Sequence, residues 1–166
     1  MIYPLSTIGA HVSDCPNHTV GRVTPFETRG IVAMAGTFGY ELDITRISEE
    51  DRSMIPCQIE TYHKYSGLCR KGDYYRLASY AQNHYHDAYM VVSKDRSEAL
   101  VTYVQVLGRP NCKSARLKLK GLDADAIYRA DGDPTAYSGG ALMYAGINIR
   151  DLFGDARARL IHFSRV

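Results

Sequence analysis

The chain has 166 residues, enough for one domain or two small ones. Its 20 Lys and Arg nearly cancel its 18 Asp and Glu, and the net charge of +2 excludes a strongly basic nucleic-acid module and an acidic disordered tail. A hydrophobic share of 45% beside 23% charged residues excludes global disorder, and no apolar run is long enough to span a bilayer.

The first residues, Met1-Ile2-Tyr3-Pro4-Leu5-Ser6, lack the basic-then-apolar layout of a signal peptide. Cys15, Cys57, Cys69 and Cys112 form no C-x-x-C pair, which leaves a zinc ribbon or thioredoxin-type site unsupported. An even count could mean two disulfides, but with no signal peptide we expect free, mostly buried thiols in a reducing compartment, the cytoplasm.

The first half reads as alternating strand and helix. Residues 3–13 form a partly apolar run that ends in the turn-rich Asp14-Cys15-Pro16-Asn17-His18. Thr24 is expected to cap a helix, with Pro25 at its first position and Glu27 completing a capping box. Ile31, Met34 and Ala35 follow at helical spacing, and Gly36 is a fitting stop. Residues 37–44 alternate as a second strand, through Phe38, Tyr40, Leu42 and Ile44. Ser48-Glu49-Glu50-Asp51 opens a further helix with an apolar face of Ile55, Ile59 and Tyr62. Pro56 is expected to kink or delay it, and Gly67 to end it.

The period then changes, with a boundary near Lys71-Gly72-Asp73. Residues 89–93 and 98–107 are rich in β-formers and flank the polar turn Lys94-Asp95-Arg96-Ser97, a hairpin signal. Arg116-Leu117-Lys118-Leu119-Lys120 alternates as a strand with one wet face. Residues 126–129, 142–145 and 160–166 read as further short strands, so the second half is expected to be an antiparallel sandwich or barrel.

Few residues carry an obvious chemistry. His84 and His86 would share a face if they lay on one strand, but no third ligand is evident and we expect no metal. Glu41 and Asp43 would lie roughly 7 Å apart on one strand, a weak carboxylate pair. Cys15 beside His18 invites a thiol nucleophile, with a loop cysteine as the stronger reading. Gly36-Thr37-Phe38-Gly39 and Ser138-Gly139-Gly140 lack the Gly-Lys-Ser/Thr ending of a phosphate loop. Arg116, Lys118 and Lys120 read as a solvated strand face rather than a nucleic-acid surface.

A longer set of motifs is more telling. Gly9-Ala10-His11-Val12-Ser13, Pro16-Asn17-His18, Arg22-Val23-Thr24-Pro25, Glu27-Thr28-Arg29 and Gly36-Thr37-Phe38-Gly39-Tyr40-Glu41-Leu42-Asp43 occur in that order. Gly72-Asp73-Tyr74-Tyr75-Arg76-Leu77, Leu107-Gly108-Arg109-Pro110-Asn111, Leu117-Lys118-Leu119-Lys120-Gly121-Leu122-Asp123 and Leu142-Met143-Tyr144-Ala145-Gly146 follow them. Across nearly its whole length the sequence resembles the C-terminal part of glycoside hydrolase family 36 α-galactosidases.

The resemblance implies an α+β chain. Residues 1–72 would be the last two βα units of a (β/α)8 barrel, and residues 73–166 an antiparallel β-sandwich domain. It implies retaining hydrolysis of terminal α-D-galactosides such as raffinose or melibiose, without a cofactor. The family's nucleophile, in a Lys-Trp-Asp-type motif, and its acid/base, in a Ser-Asp-x-x-Asp-type motif, both lie upstream of the matched region. There is no Trp here, and Ser13-Asp14 falls on the wrong side of Gly9-Ala10-His11-Val12, so no catalytic role is carried onto this chain. Pro56 departs from the family's usually unbroken last barrel helix.

His11 and Ser13, at the end of the seventh barrel strand, are the residues expected to bind substrate. Glu41 and Asp43, at or beyond the end of the eighth, are weaker candidates. Implied partners are the α-galactoside, the N-terminal part of the enzyme or a further copy of the chain; nucleic acid and membrane are not expected. The second reading is non-enzymatic: a β-sandwich module for assembly or carbohydrate contact. On either reading the chain alone is not expected to turn over substrate.

Overall fold

A computed structural model describes residues 3–112, 114–150 and 152–166. The chain is α+β and divides into two compact units, Met1–Arg70 and Lys71–Val166.

The first unit is built on two parallel strands, β1 (Gly9–Ser13) and β2 (Thr37–Glu41), joined through helix α1 (Phe26–Ala33). A single 3-10 turn, Leu5–Thr7, precedes β1, so the first strand is shorter than its apolar run predicts. Pairing runs from Gly9 opposite Thr37 to Ser13 opposite Glu41. Side chains alternate, so Ala10, Val12, Phe38 and Tyr40 share one face and His11, Ser13, Gly39 and Glu41 the other. The first face packs into a small core with Phe26, Ala33, Met54 and Ile55. Gly36 is needed where the strands meet: a Cβ there would lie 2.5 Å from the Ile8 carbonyl oxygen.

The capping box does not form. Pro25, extended at φ −54° and ψ 146°, takes the cap position without a side-chain bond. The Thr24 carbonyl instead accepts from Arg29 Nε at 3.0 Å.

Helix α2 (Glu49–Lys71) is 23 residues long and passes through both Pro56 and Gly67. Ser48 Oγ caps it by accepting from the Asp51 amide at 3.0 Å, and three acids fill the first turn. Against so long a helix, the one amide that Pro56 removes does not stop propagation. Buried Gln58 ties the helix to the strand pair: it accepts from the Tyr40 hydroxyl at 2.9 Å and donates to the Phe26 carbonyl at 3.3 Å.

The second unit is a six-stranded antiparallel sheet. It contains β3 (Asp73–Ala78), β4 (His86–Val92), β5 (Glu98–Gln105), β7 (Ile127–Ala130), β8 (Ala136–Ser138) and β10 (Arg157–Arg165), in the order β3-β4-β5-β10-β7-β8. A two-stranded ribbon of β6 (Ser114–Leu117) and β9 (Ile147–Arg150) shares its core. Met90, Val101, Tyr103, Tyr128 and Phe163 fill that core from the sheet, and Leu117 and Ile149 from the ribbon. Val91, Leu100 and Thr102 point to the other face and are buried too, so β4 and β5 read as continuous apolar runs.

Residues 142–145 are not a strand. Leu142, Met143 and Tyr144 lie in α4 (Gly139–Tyr144) with Ala145 as its C-cap, and Ser138 starts the helix by accepting from the Ala141 amide at 3.1 Å. Ser138-Gly139-Gly140 is thus a helix cap at a close crossing. The amides of Gly139 and Gly140 donate to the Ala126 and Ala124 carbonyls, and a Cβ at Gly139 would overlap the Asp123 carbonyl. The alternation at 116–120 does hold: Leu117 and Leu119 are buried between exposed Arg116, Lys118 and Lys120, although β6 itself ends at Leu117.

Gly139→Ala is expected to destabilise the chain by about 3 kcal/mol, because backbone must move to admit the methyl. Urea unfolding measures this, and a loss under about 0.5 kcal/mol would show that the crossing is loose.

The β4–β5 turn gives a pH test. Asp95 accepts from the hydroxyls of Ser93 and Ser97 and from the Ser97 amide, and these bonds draw its pKa from 3.8 down to about 2. A depressed carboxyl pKa stabilises the fold above pH 3.8, and that contribution fades as pH falls towards 2. The melting-temperature gap between the parent and Asp95→Ala should therefore be full at neutral pH and narrow below pH 3.8. A gap that does not change with pH would assign it to lost packing instead.

Candidate functional site

The polar face of β1–β2 carries the predicted site residues. His11 lies opposite Gly39, which has no Cβ to crowd it, and Ser13 lies opposite Glu41. His11 Nε2 meets Glu41 Oε2 at 2.7 Å. The pairing register makes this contact, since residues 11 and 41 share a face two positions apart along the pair. Glu41 is thereby the partner of an imidazole rather than of Asp43, a link that adjacent sequence spacing does not reveal.

Asp43 is not on the strand at all. The chain turns after Glu41, and Asp43 Oδ1 accepts from the Thr45 amide at 3.0 Å and its hydroxyl at 2.6 Å. Those bonds, the hydroxyl's first, hold the Asp43 pKa below its usual value. The weak carboxylate pair of Glu41 and Asp43 on one strand does not form, because β2 ends at Glu41.

The segment after Ser13 is held by its own polar groups. Arg29 reaches from α1 to donate through Nη1 to the Ser13 carbonyl and through Nε to Thr24, with its guanidinium 5.1 Å from the Phe26 ring centre. Asn17 Oδ1 accepts from the amides of Thr19 and Val20. Cys15 Sγ accepts from the Thr24 amide at 3.4 Å and donates to the Thr24 carbonyl at 3.6 Å, so the thiol braces the loop and is not paired to His18 as a nucleophile.

His84 and His86 separate as well. His84 closes the short helix α3 (Tyr80–Asn83) in a left-handed conformation, and only His86 is on β4. His86 stacks on Tyr103 at 5.0 Å; burial, then the Arg109 charge, lowers its pKa. Among the described residues no group of three or more His, Cys, Asp or Glu could hold a metal ion, and no helix is long and apolar enough to cross a membrane.

Chemically, an imidazole, a carboxylate and a hydroxyl on one strand face can donate to and accept from a polyhydroxylated ligand. They do not supply the two facing carboxyls of a glycosidase.

Comparison with known proteins fixes the class first. The family model described as Melibiase matches residues 1–72, and the model described as Glycosyl hydrolase family 36 C-terminal domain matches residues 86–163. Alpha-galactosidase AgaA of Geobacillus stearothermophilus is 48% identical over 147 residues, which are 89% of this chain and 20% of that protein. Alpha-galactosidase Mel36A of Lactobacillus acidophilus is 37% identical over 166 residues, 100% of this chain and 22% of that protein. The solved galactosidase domain of AgaSK, a bifunctional alpha-galactosidase/sucrose kinase of Mediterraneibacter gnavus, superposes with a TM-score of 0.94 at 43% identity, over 99% of this chain and 23% of that one.

The chain belongs to glycoside hydrolase family 36 and corresponds to the C-terminal part of that family's α-galactosidases. It spans about a fifth of the length of the curated relatives it matches.

Arg29→Lys is expected to cost about 1–3 kcal/mol of stability, since an ammonium cannot span the Ser13 and Thr24 carbonyls or stack as guanidinium does. Urea unfolding, with amide shifts confined to residues 13–16 and 24–29, checks it; a neutral substitution would mean that Cys15 and Asn17 hold the loop alone.

Proposed function

We propose that this chain supplies the last two βα units of a (β/α)8 barrel, residues 1–72, and the β-sandwich domain that follows, residues 73–166, of a cytoplasmic α-galactosidase. The observation that carries the reading is the polar face of β1–β2, where His11, Ser13 and Glu41 gather at the C-terminal ends of parallel strands. Site residues in such barrels collect at that end. The face lines the sugar pocket. His11 and Ser13 meet hydroxyls of the galactoside, and Glu41 fixes the imidazole ring so that Nδ1 is free for the ligand.

The chemistry is retaining hydrolysis of terminal α-D-galactosides such as raffinose and melibiose. One carboxylate attacks the anomeric carbon while a carboxylic acid protonates the departing oxygen; water then releases the sugar. Both carboxyls come from outside this chain, from the N-terminal part of the enzyme, and no cofactor or metal is required; a further copy of the chain is a partner for assembly only. Solved structures of engineered AgaA in complex with raffinose and with stachyose, at TM-scores of 0.94, support the substrate class. Four unpaired cysteines suit a reducing compartment.

The test is a chimera in which the upstream four-fifths of AgaA is fused to this chain. It should hydrolyse an aryl α-galactoside, whereas the 166-residue chain alone should not. In the chimera, His11→Ala is expected to lower kcat/KM roughly 3- to 10-fold, the worth of one hydrogen bond to a hydroxyl. A folded chimera without activity, or turnover by the purified chain that vanishes on changing Glu41, overturns the assignment.

A further inference from the structure

The second unit contains a cleft of about 610 Å3 that the glycosidase reading does not use. That volume falls in the range of ligand sites. Its base is the His86–Tyr103 stack, and beside it the Arg109 guanidinium lies 4.2 Å over the Tyr85 ring centre. Phe153 stands at the rim, 81% exposed.

The walls are fastened to one another. Gln105 Nε2 donates to the Leu152 and Gly154 carbonyls at 3.0 and 2.7 Å. The Gly108 amide donates to Asp155 Oδ1 at 2.6 Å, and the Ala156 amide to the Val106 carbonyl at 3.1 Å. The opening is therefore formed before any ligand arrives, which limits the ordering cost of binding.

We infer that this cleft binds a neutral oligosaccharide. Sugar rings present flat apolar faces edged by hydroxyls. They are held by aromatic planes for the faces and planar multi-donor side chains for the edges. Phe153 supplies a large ring left open to solvent, and Arg109 supplies guanidinium donors pre-ordered by Tyr85. The two lining arginines are each engaged, Arg109 over the Tyr85 ring and Arg116 with a backbone carbonyl, which suits them to donate to hydroxyls. Burial, then Arg109, favours uncharged His86, and Arg116 Nη1 already donates to the Ala145 carbonyl at 3.1 Å. Among the described residues no Asp or Glu lines the cleft, so it binds without hydrolysing. The inference rests on this geometry alone, and it can fail or stand separately from the galactosidase assignment.

The experiment uses the full 166-residue chain, isotope-labelled, titrated with stachyose and with maltotriose up to tens of millimolar. At least one should shift the amides of Tyr85, Arg109 and Phe153. Phe153→Ala and Arg109→Ala should each weaken binding roughly fivefold, as expected for losing a stacking plane or a hydrogen bond. Phe153→Tyr, which keeps the plane, should restore it. Phe153 is exposed, so its variants should keep the parent spectrum elsewhere. No binding by either sugar overturns the inference. So do shifts confined to β1–β2 and abolished by His11→Ala, or inorganic phosphate displacing the sugar from the cleft, which would make it an anion site.

Discussion

The in-register parallel pairing of β1 with β2 is the constraint from which the first unit follows. Once Ser13 stands opposite Glu41, every even-numbered side chain of the pair faces the apolar side and every odd-numbered one the polar side. A slip of β1 by one residue would put His11 into the core with Phe26 and expel Val12. The burial of Val12 and the Tyr40–Gln58 bond thus specify the site as firmly as any contact His11 makes. Gly36 belongs to the same device, because only a residue without a Cβ brings Thr37 close enough to donate to the Ile8 carbonyl at 2.8 Å.

In the second unit a single phenol plays a comparable part. Tyr128 is fully buried, yet its hydroxyl donates to the Arg96 carbonyl at 2.7 Å and accepts from the Asp123 amide at 3.1 Å. It joins the β4–β5 turn to the segment leading into β7, two regions distant in sequence. Beside it, His162 on β10 sits between Glu98 Oε2 at 3.2 Å and Asp131 Oδ2 at 3.1 Å. The sheet is held at its middle by apolar contact and at this end by polar groups whose burial would be costly if left unmatched.

Much of this was legible in the sequence where one local rule decides. Alternation gave β2 and the wet face of 116–120, because side-chain period follows directly from backbone geometry, and runs rich in β-formers around a polar turn gave the hairpin of β4 and β5. The failures come where a distant contact outweighs a local preference. Thr24 loses its capping role because its carbonyl is held by Arg29. Residues 142–144 are helical behind the Ser138 cap, where Gly139 passes close to the Asp123 carbonyl, a crossing no local pattern records. Pro56 is tolerated because the helix around it is long. His11 and Ser13 were visible as strand-end residues, but the Glu41 partner depended on register between strands 28 residues apart (Gly9 to Thr37), which neither strand's sequence encodes alone.

On the barrel reading, the exposure of the His11–Glu41 pair bears on how binding residues and catalytic carboxyls would be shared between different parts of one enzyme. Its side chains are 46% and 73% exposed, so in this chain alone water screens the contact and it adds little to stability. On the barrel reading, closing the wall removes that water, and the same 2.7 Å contact then acts in a medium where electrostatic interactions are several-fold stronger. On that same reading, a pair nearly idle in the open unit becomes a fixed hydrogen-bonding group once the pocket is complete. Its selection as a site feature therefore needs no catalytic group on the same segment. It needs only that β1 and β2 keep their register, which the apolar face beneath them secures.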